Sequence, residues 1–163
     1  MAGECLPKDM LEKLTLFKDL SPAQKQLLEP LFVPCACYGD FVLFDQGEPA
    51  EYLYLVVTGE VVISHKPDDG PPLTVARVKA GGVVGWSAAL GNHSYTSAAI
   101  CARYTQMLRV RGADLRELCQ QHPETGILIL ERLAEIIAKR LHNTHKQVVE
   151  LLKEGLGNHL QSQ

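Results

Sequence analysis

The sequence predicts a mainly β domain flanked by helices, an α+β chain whose strands close into a sandwich or barrel and which ends in one long helix. Three observations lead there. Between about residues 31 and 111, short runs rich in Val, Tyr, Phe and Ile recur, each closed by a turn. On both sides of that block the apolar spacing is helical. The last helical stretch, about 124–154, would be on the order of 45 Å long at 1.5 Å per residue, too long for a compact barrel to cover. A jelly roll is one arrangement that tames the sheet edges of such strands. The 163 residues suffice for one domain with a real core. Within it we expect N-terminal helices over 1–30, a barrel over 31–111 and C-terminal helices over 112–163.

Leu11, Leu14 and Phe17 follow a spacing of three and open a first short helical pattern. The run Asp19-Leu20-Ser21-Pro22 supplies an N-cap with proline at the first helical position, and it leads Leu27, Leu28 and Leu31 onto one face. Strands follow, separated by Gly39-Asp40, Gln46-Gly47-Glu48-Pro49, Thr58-Gly59-Glu60, the proline-rich loop 67–72, and Gly81-Gly82. Residues 52–58 and 60–65, joined through Gly59, read as the clearest hairpin. The 67–72 loop is the natural place for solvent exposure. After Arg111, residues 112–121 form one short helix, which His122-Pro123 interrupts because proline disfavours a helical conformation in the residue before it. The long helix is expected to stop at Gly155 and Gly157.

Along that helix Ile127, Leu130, Ala134, Ile137, Leu141, Thr144, Val148 and Leu151 alternate steps of three and four, the seam of a left-handed coiled coil. A second stripe, Ile129, Leu133 and Ile136, accompanies only the first half. The first half should therefore pack on the barrel and also meet a partner, and the second half meet the partner alone. A parallel homodimer is the expected assembly.

Composition removes several classes of function. The net charge is −3, with 16 Lys and Arg against 19 Asp and Glu, so no basic field recruits nucleic acid or an anionic membrane. The start lacks the apolar run of a signal peptide and no window approaches a membrane span, so a cytoplasmic protein is expected. Five cysteines without a repeated C-x-x-C fit reduced thiols. Cys35 and Cys37 share a strand face and could form half of a redox or metal site, but lack two further ligands close by; buried thiols are the simpler reading. His142 and His145 stand at helical ligand spacing on a polar stretch and read as solvated. With no G-x-S-x-G, no P-loop and no H-x-H, no catalytic constellation is expected.

The informative stretch is 82–99, G-V-V-G-W-S-A-A-L-G-N-H-S-Y-T-S-A-A. Glycines permit close backbone approach, the W-S-A-A-L run suits one short helix, and Ser94, Thr96 and Ser97 place hydroxyls on the return. Backbone N–H groups of Ser87, Ala88 and Ala89 at the helix start would form an anion cradle. The bland alternative is a glycine-rich turn between strands.

Taken with its surroundings, this stretch resembles a known family. Phe41, then Gln46-Gly47-Glu48, Glu51-Tyr52, Tyr54, Val56, Gly59 and Val61, followed by Gly82 and Gly85, a small cassette, a short helix, His-Pro and a long helix, is similar to the cyclic-nucleotide-binding domains of catabolite-activator-type regulators, gated channels and kinase regulatory subunits. The likeness runs from about residue 16 to 149. It implies an eight-stranded jelly roll that holds a cyclic nucleotide, with helices that relay its presence. The family cassette carries a glutamate for the ribose 2′-hydroxyl and an arginine for the cyclic phosphate. Here those positions hold Trp86 and Tyr95. Losing two charge-assisted bonds, each about 1.5–3 kcal/mol, would weaken an ordinary cyclic nucleotide by roughly 10²- to 10⁴-fold.

The expected ligand-binding residues are Gly85, Trp86, Ser87, Ala88, Ala89, Tyr95, Thr96 and Ser97, with cAMP or cGMP as the candidate ligand and no metal; Arg77 and Arg103 are the nearest candidates in sequence for a substitute cation, and a surface position is the simpler reading of each. The main expectation is a regulatory module for a small phosphorylated effector. The alternative is a domain that keeps the fold for a non-nucleotide effector, or for ligand-free dimerisation and protein interaction. Family transcription factors place a helix-turn-helix domain after the long helix, whereas this chain stops at Gln163, so direct DNA binding is not expected.

Overall fold

The computed structural model describes residues 14–91 and 94–161, so Leu11 and Cys5 lie outside the described residues. A 3₁₀ turn at Thr15–Phe17 precedes helix α1 (Pro22–Leu28). Ser21 caps α1 reciprocally: its hydroxyl accepts from the Gln24 N–H, and the Gln24 side chain accepts from the Ser21 N–H. Strands β1 (Val33–Cys37), β2 (Val42–Phe44), β3 (Tyr52–Thr58), β4 (Glu60–His65), β5 (Leu73–Lys79) and β6 (Val83–Val84) follow. Helix α2 (Ser87–Leu90) separates them from β7 (Ala98–Cys101) and β8 (Thr105–Arg111). Helices α3 (Gly112–Gln121) and α4 (Pro123–Gln161) complete the chain.

The strands form two antiparallel four-stranded sheets, ordered β1-β8-β3-β6 and β2-β7-β4-β5, which is the jelly roll with flanking helices. Their facing sides enclose Phe44, Tyr54, Val56, Val61, Ile63, Val84, Ala99 and Met107. The outer side of the first sheet carries Leu53, Leu55, Val57, Leu108 and Val110, which pack with Leu16, Phe17, Leu28, Leu115, Leu118, Ile129 and Leu133 of the helical segments. β3 is thus buried on both faces. That is why its sequence, Y-L-Y-L-V-V-T, is a continuous apolar run rather than an alternating one.

The expected hairpin between β3 and β4 does not form. The two strands have the expected limits but belong to different sheets, β3 between β8 and β6, β4 between β7 and β5. Gly59 turns the chain from one sheet to the other at φ +99°, where an added Cβ would lie 2.5 Å from the Thr105 hydroxyl. The hairpin that does form joins β4 to β5 across the exposed 67–72 loop, with His65 opposite Leu73.

α3 and α4 break at His122, as the His-Pro step requires. The second expectation that fails is the stop at glycine, since α4 runs through Gly155 and Gly157 to Gln161. A glycine costs a helix interior only about 1 kcal/mol, and a stop needs a left-handed residue or a competing contact. Ile129 and Leu133 are buried on the barrel side with Ile136 packed beside them, while Ile127, Leu130, Leu151 and Leu152 are exposed large apolar side chains. The side chains of Leu141, Thr144 and Val148 lie outside the described set. Among the described residues no helix is long and apolar enough to cross a membrane.

Candidate functional site

After β6 the chain passes Gly85 at φ +79°, a conformation that glycine adopts without strain. A Cβ here would meet the Tyr52 carbonyl at 2.9 Å and the rings of Tyr95 and Phe44 at 3.2 and 3.3 Å. α2 then makes one turn and ends at Gly91 in the left-handed conformation. Trp86 stands at its N-cap position, half-buried, packed against the helix-side core.

The return strand is held by Tyr95. Its N–H donates to the Glu48 carbonyl and its carbonyl accepts from the Gly47 N–H, both at 2.9 Å. Its phenol donates to the Tyr52 carbonyl at 2.6 Å and accepts from the Tyr52 N–H at 3.0 Å. The ring stacks on Phe44 with centroids 3.6 Å apart. Burial, with the Glu51 and Glu48 carboxylates adding to it, pushes the phenol above its usual pKa, so it is neutral at physiological pH.

These segments leave a cavity of about 140 Å³ lined by Phe44, Ile63, Val75, Gly85, Trp86, Ser87, Tyr95, Thr96, Ser97 and Arg140. Six of the eight sequence-predicted site residues therefore meet at one place. Ala88 and Ala89 do not line it. Ala88 is buried, and their N–H groups donate to the Gly85 and Trp86 carbonyls at 3.1 Å. A single helical turn also has little dipole, so the cradle expected from N–H groups 87–89 is reduced to its first member. Ser94 is exposed and bridges to Pro49.

The two candidate cations nearest in sequence lie elsewhere, with their side chains largely exposed. Arg77 and Arg103 both pair with the buried Glu60 carboxylate, at 3.3 and 3.0 Å. The cation that reaches the cavity is Arg140 of α4, whose Nη1 donates to the Val83 carbonyl at 3.3 Å. Burial lowers its pKa. The sequence held a signal for it: the barrel-facing stripe Ile129, Leu133, Ile136 continues by a step of four to residue 140, and that residue is an arginine.

Cys35 and Cys37 pack against the core between the sheets, which also holds Cys101. Among the described residues no group of three or more His, Cys, Asp or Glu side chains is placed to hold a metal ion. His142 and His145 are exposed.

α3 docks directly behind the cassette. The Gly112 N–H donates to the Glu51 carbonyl at 2.9 Å, and Arg116 Nη1 donates to the Ala88 carbonyl at 2.6 Å. At the α3–α4 corner, Gly126 lies so close to Cys119 that a Cβ would come within 2.6 Å of its Cα. Cassette, short helix and long helix are therefore in mechanical contact.

Comparison with known proteins agrees with this geometry. A cAMP-activated global transcriptional regulator of Haemophilus influenzae is 33% identical over 110 residues, which is 67% of this chain and 47% of that protein. The chain thus spans about half the length of that relative. A cyclic nucleotide-binding domain from Methylobacillus flagellatus superposes with a TM-score of 0.74 at 23% identity, covering 87% of this chain and 80% of that one. A putative cyclic nucleotide-binding protein from Geobacter metallireducens superposes with a TM-score of 0.73 at 23% identity, covering 84% and 99%. Residues 39–122, half of the chain, match the cyclic nucleotide-binding domain family. The cavity between β-roll and cassette and the helices docked behind it accord with that match, and the chain belongs to the cyclic-nucleotide-binding domain family.

Proposed function

We propose that this chain is a regulatory module, not an enzyme, whose barrel binds a small phosphorylated effector and whose helical flanks pass the event on. The observation that carries the reading is the cavity of about 140 Å³ that joins Gly85, Ser87, Thr96 and Ser97 to one guanidinium. Hydroxyls, a glycine-bared backbone and a cation suit a phosphate diester such as that of cAMP or cGMP. The Haemophilus relative is named for activation by cAMP.

The ligand preference is non-standard. Neither Trp86 nor Tyr95 can act as the family's carboxylate and guanidinium, so the ribose hydroxyl goes unread and affinity is modest. Clefts that bury a drug-sized ligand run to about 300–1,000 Å³, so this one holds the anionic part and leaves the remainder at its mouth.

The exposed apolar face of α4, with Ile127 57% and Leu151 67% exposed, supports a homodimer through the long helix. The contacts of α3 with the cassette and with α4 supply a route from effector to dimer. The net charge of −3 fits a cytoplasmic module that does not itself grip DNA or an anionic membrane.

A second reading, a fold kept for ligand-free dimerisation, is favoured by one observation: the Tyr95 phenol is tied to the protein's own backbone where a phosphate-binding side chain would stand.

The two are separated by calorimetry and thermal melting with cyclic AMP, cyclic GMP and cyclic di-GMP. The effector reading expects heat of binding and a raised melting temperature, since a ligand at 100 times its Kd stabilises by about 2.7 kcal/mol. A Ser97→Asp change should abolish both signals by placing a carboxylate at the cavity wall. Absence of any response at millimolar ligand would remove the cyclic-nucleotide reading and leave a non-nucleotide effector or ligand-free dimerisation.

A further inference from the structure

Several charged side chains near the cassette are engaged in other contacts. Arg77 and Arg103 hold Glu60, Arg116 holds the Ala88 carbonyl, and Glu48 and Glu51 bring negative charge towards Tyr95. Among the described residues the cavity wall carries no carboxylate, and its ionised group is Arg140. That arginine stands where the buried stripe of α4 leaves the apolar core and crosses the cavity. A fourth apolar residue would extend the stripe, whereas an arginine places a half-buried cation at the cavity wall instead.

We propose that the anchoring charge for the effector has moved from the cassette to the long helix: Arg140 pairs with the effector's phosphate, so the ligand is gripped jointly by barrel and α4. The inference rests on the effector reading above and adds to it the residue, the charge class and the coupling. A guanidinium carries five N–H donors in a planar fork. Bidentate pairing of such a fork with a phosphate gives short, strong bonds. Among the described residues the wall offers one positive charge and hydroxyl donors, which matches a singly charged diester better than a terminal phosphate with two charges. Because Arg140 belongs to α4, the anion binds tightly only when this part of the helix lies over the cavity. Effector occupancy and helix position are then one equilibrium.

The test uses the full chain, with cyclic AMP, cyclic GMP and cyclic di-GMP as charged probes and adenosine and guanosine as uncharged ones. Titration calorimetry is run at 50 mM and 500 mM NaCl on the parent, Arg140→Gln and Arg140→Lys. Arg140→Gln should weaken whichever cyclic nucleotide binds by about 10- to 150-fold. It should also flatten the salt dependence and leave any nucleoside binding unchanged, and Arg140→Lys should recover part of the loss.

If the glutamine variant fails to fold, the lysine variant carries the test: it keeps the charge, loses the fork, and should bind several-fold more weakly with its salt dependence intact. A cyclic nucleotide that binds the parent and Arg140→Gln alike, while Ser97→Asp abolishes binding, overturns the assignment of Arg140 and leaves the effector reading standing. A parent that binds none of the three cyclic nucleotides overturns both.

Discussion

Replacing Tyr95 by phenylalanine deletes one oxygen and leaves the ring stacked on Phe44. That oxygen makes two bonds to one residue, donating to the Tyr52 carbonyl at 2.6 Å and accepting from the Tyr52 N–H at 3.0 Å, and Tyr95 is buried. Both backbone groups of Tyr52 lose a partner at a partly buried position, and an unsatisfied buried group costs about 1–3 kcal/mol. No carbon is removed, so no cavity term is added. The expected loss is about 2–4 kcal/mol. For a chain of this size each kcal/mol corresponds to roughly 2–4 °C, so the melting temperature should fall by about 5–15 °C. Urea unfolding of the two proteins at pH 7 measures the difference directly, and equal slopes would show that both unfold to the same state. A loss below about 0.5 kcal/mol would refute the reasoning, because it would mean that water or a shifted strand replaces the phenol and that Tyr95 does not pin the cassette's return to β3.

Three further outcomes follow from the fold. Gly59→Ala forces a Cβ against the Thr105 hydroxyl and backbone at a left-handed corner, and should destabilise by more than about 2 kcal/mol in urea unfolding, whereas a neutral result would place the sheet crossover elsewhere. On α4, Ile129→Ala should cost about 2–4 kcal/mol of stability, whereas Leu130→Asp should leave the melting of the barrel nearly unchanged and shift sedimentation towards monomer; a parent that is monomeric at millimolar concentration removes the proposed dimer. Burial raises the Cys35 thiol from 9.0 to about 11 and the Cys101 thiol to about 12, each with Cys37 adding to the effect. The fold therefore keeps protons that the unfolded chain releases. Their contribution is complete below pH 9 and is lost as pH rises through about 11, so stability should fall more steeply over pH 9–11 in the parent than in a Cys35→Ala, Cys101→Ala variant.

Much of this molecule could be read along the chain because the signals are local. Ser21-Pro22 begins a helix wherever it packs, His122-Pro123 breaks one, and the turns around Gly39, Gly47 and Gly59 bound strands whose limits need no tertiary information. Two stripes of different length on α4 foretold which half would lie on the barrel. The same locality explains the failures. Gly59 announces a turn but not whether the next strand stays in its sheet, and only the contact with Thr105 across the roll settles that. Gly155 and Gly157 weaken a helix but do not end it.

By itself the sequence determined the element types and the family, since each of these is a property of residue kind and spacing. Tertiary structure alone decided which strands pair, which N–H groups of the cassette its own turn engages, and that the cavity's cation comes from residue 140 rather than 77 or 103. The physical reason is distance along the chain. Charges 55 residues from the cassette's Gly85 meet its cavity only after α4 has folded back over the barrel, and Coulomb's law acts on separation in space.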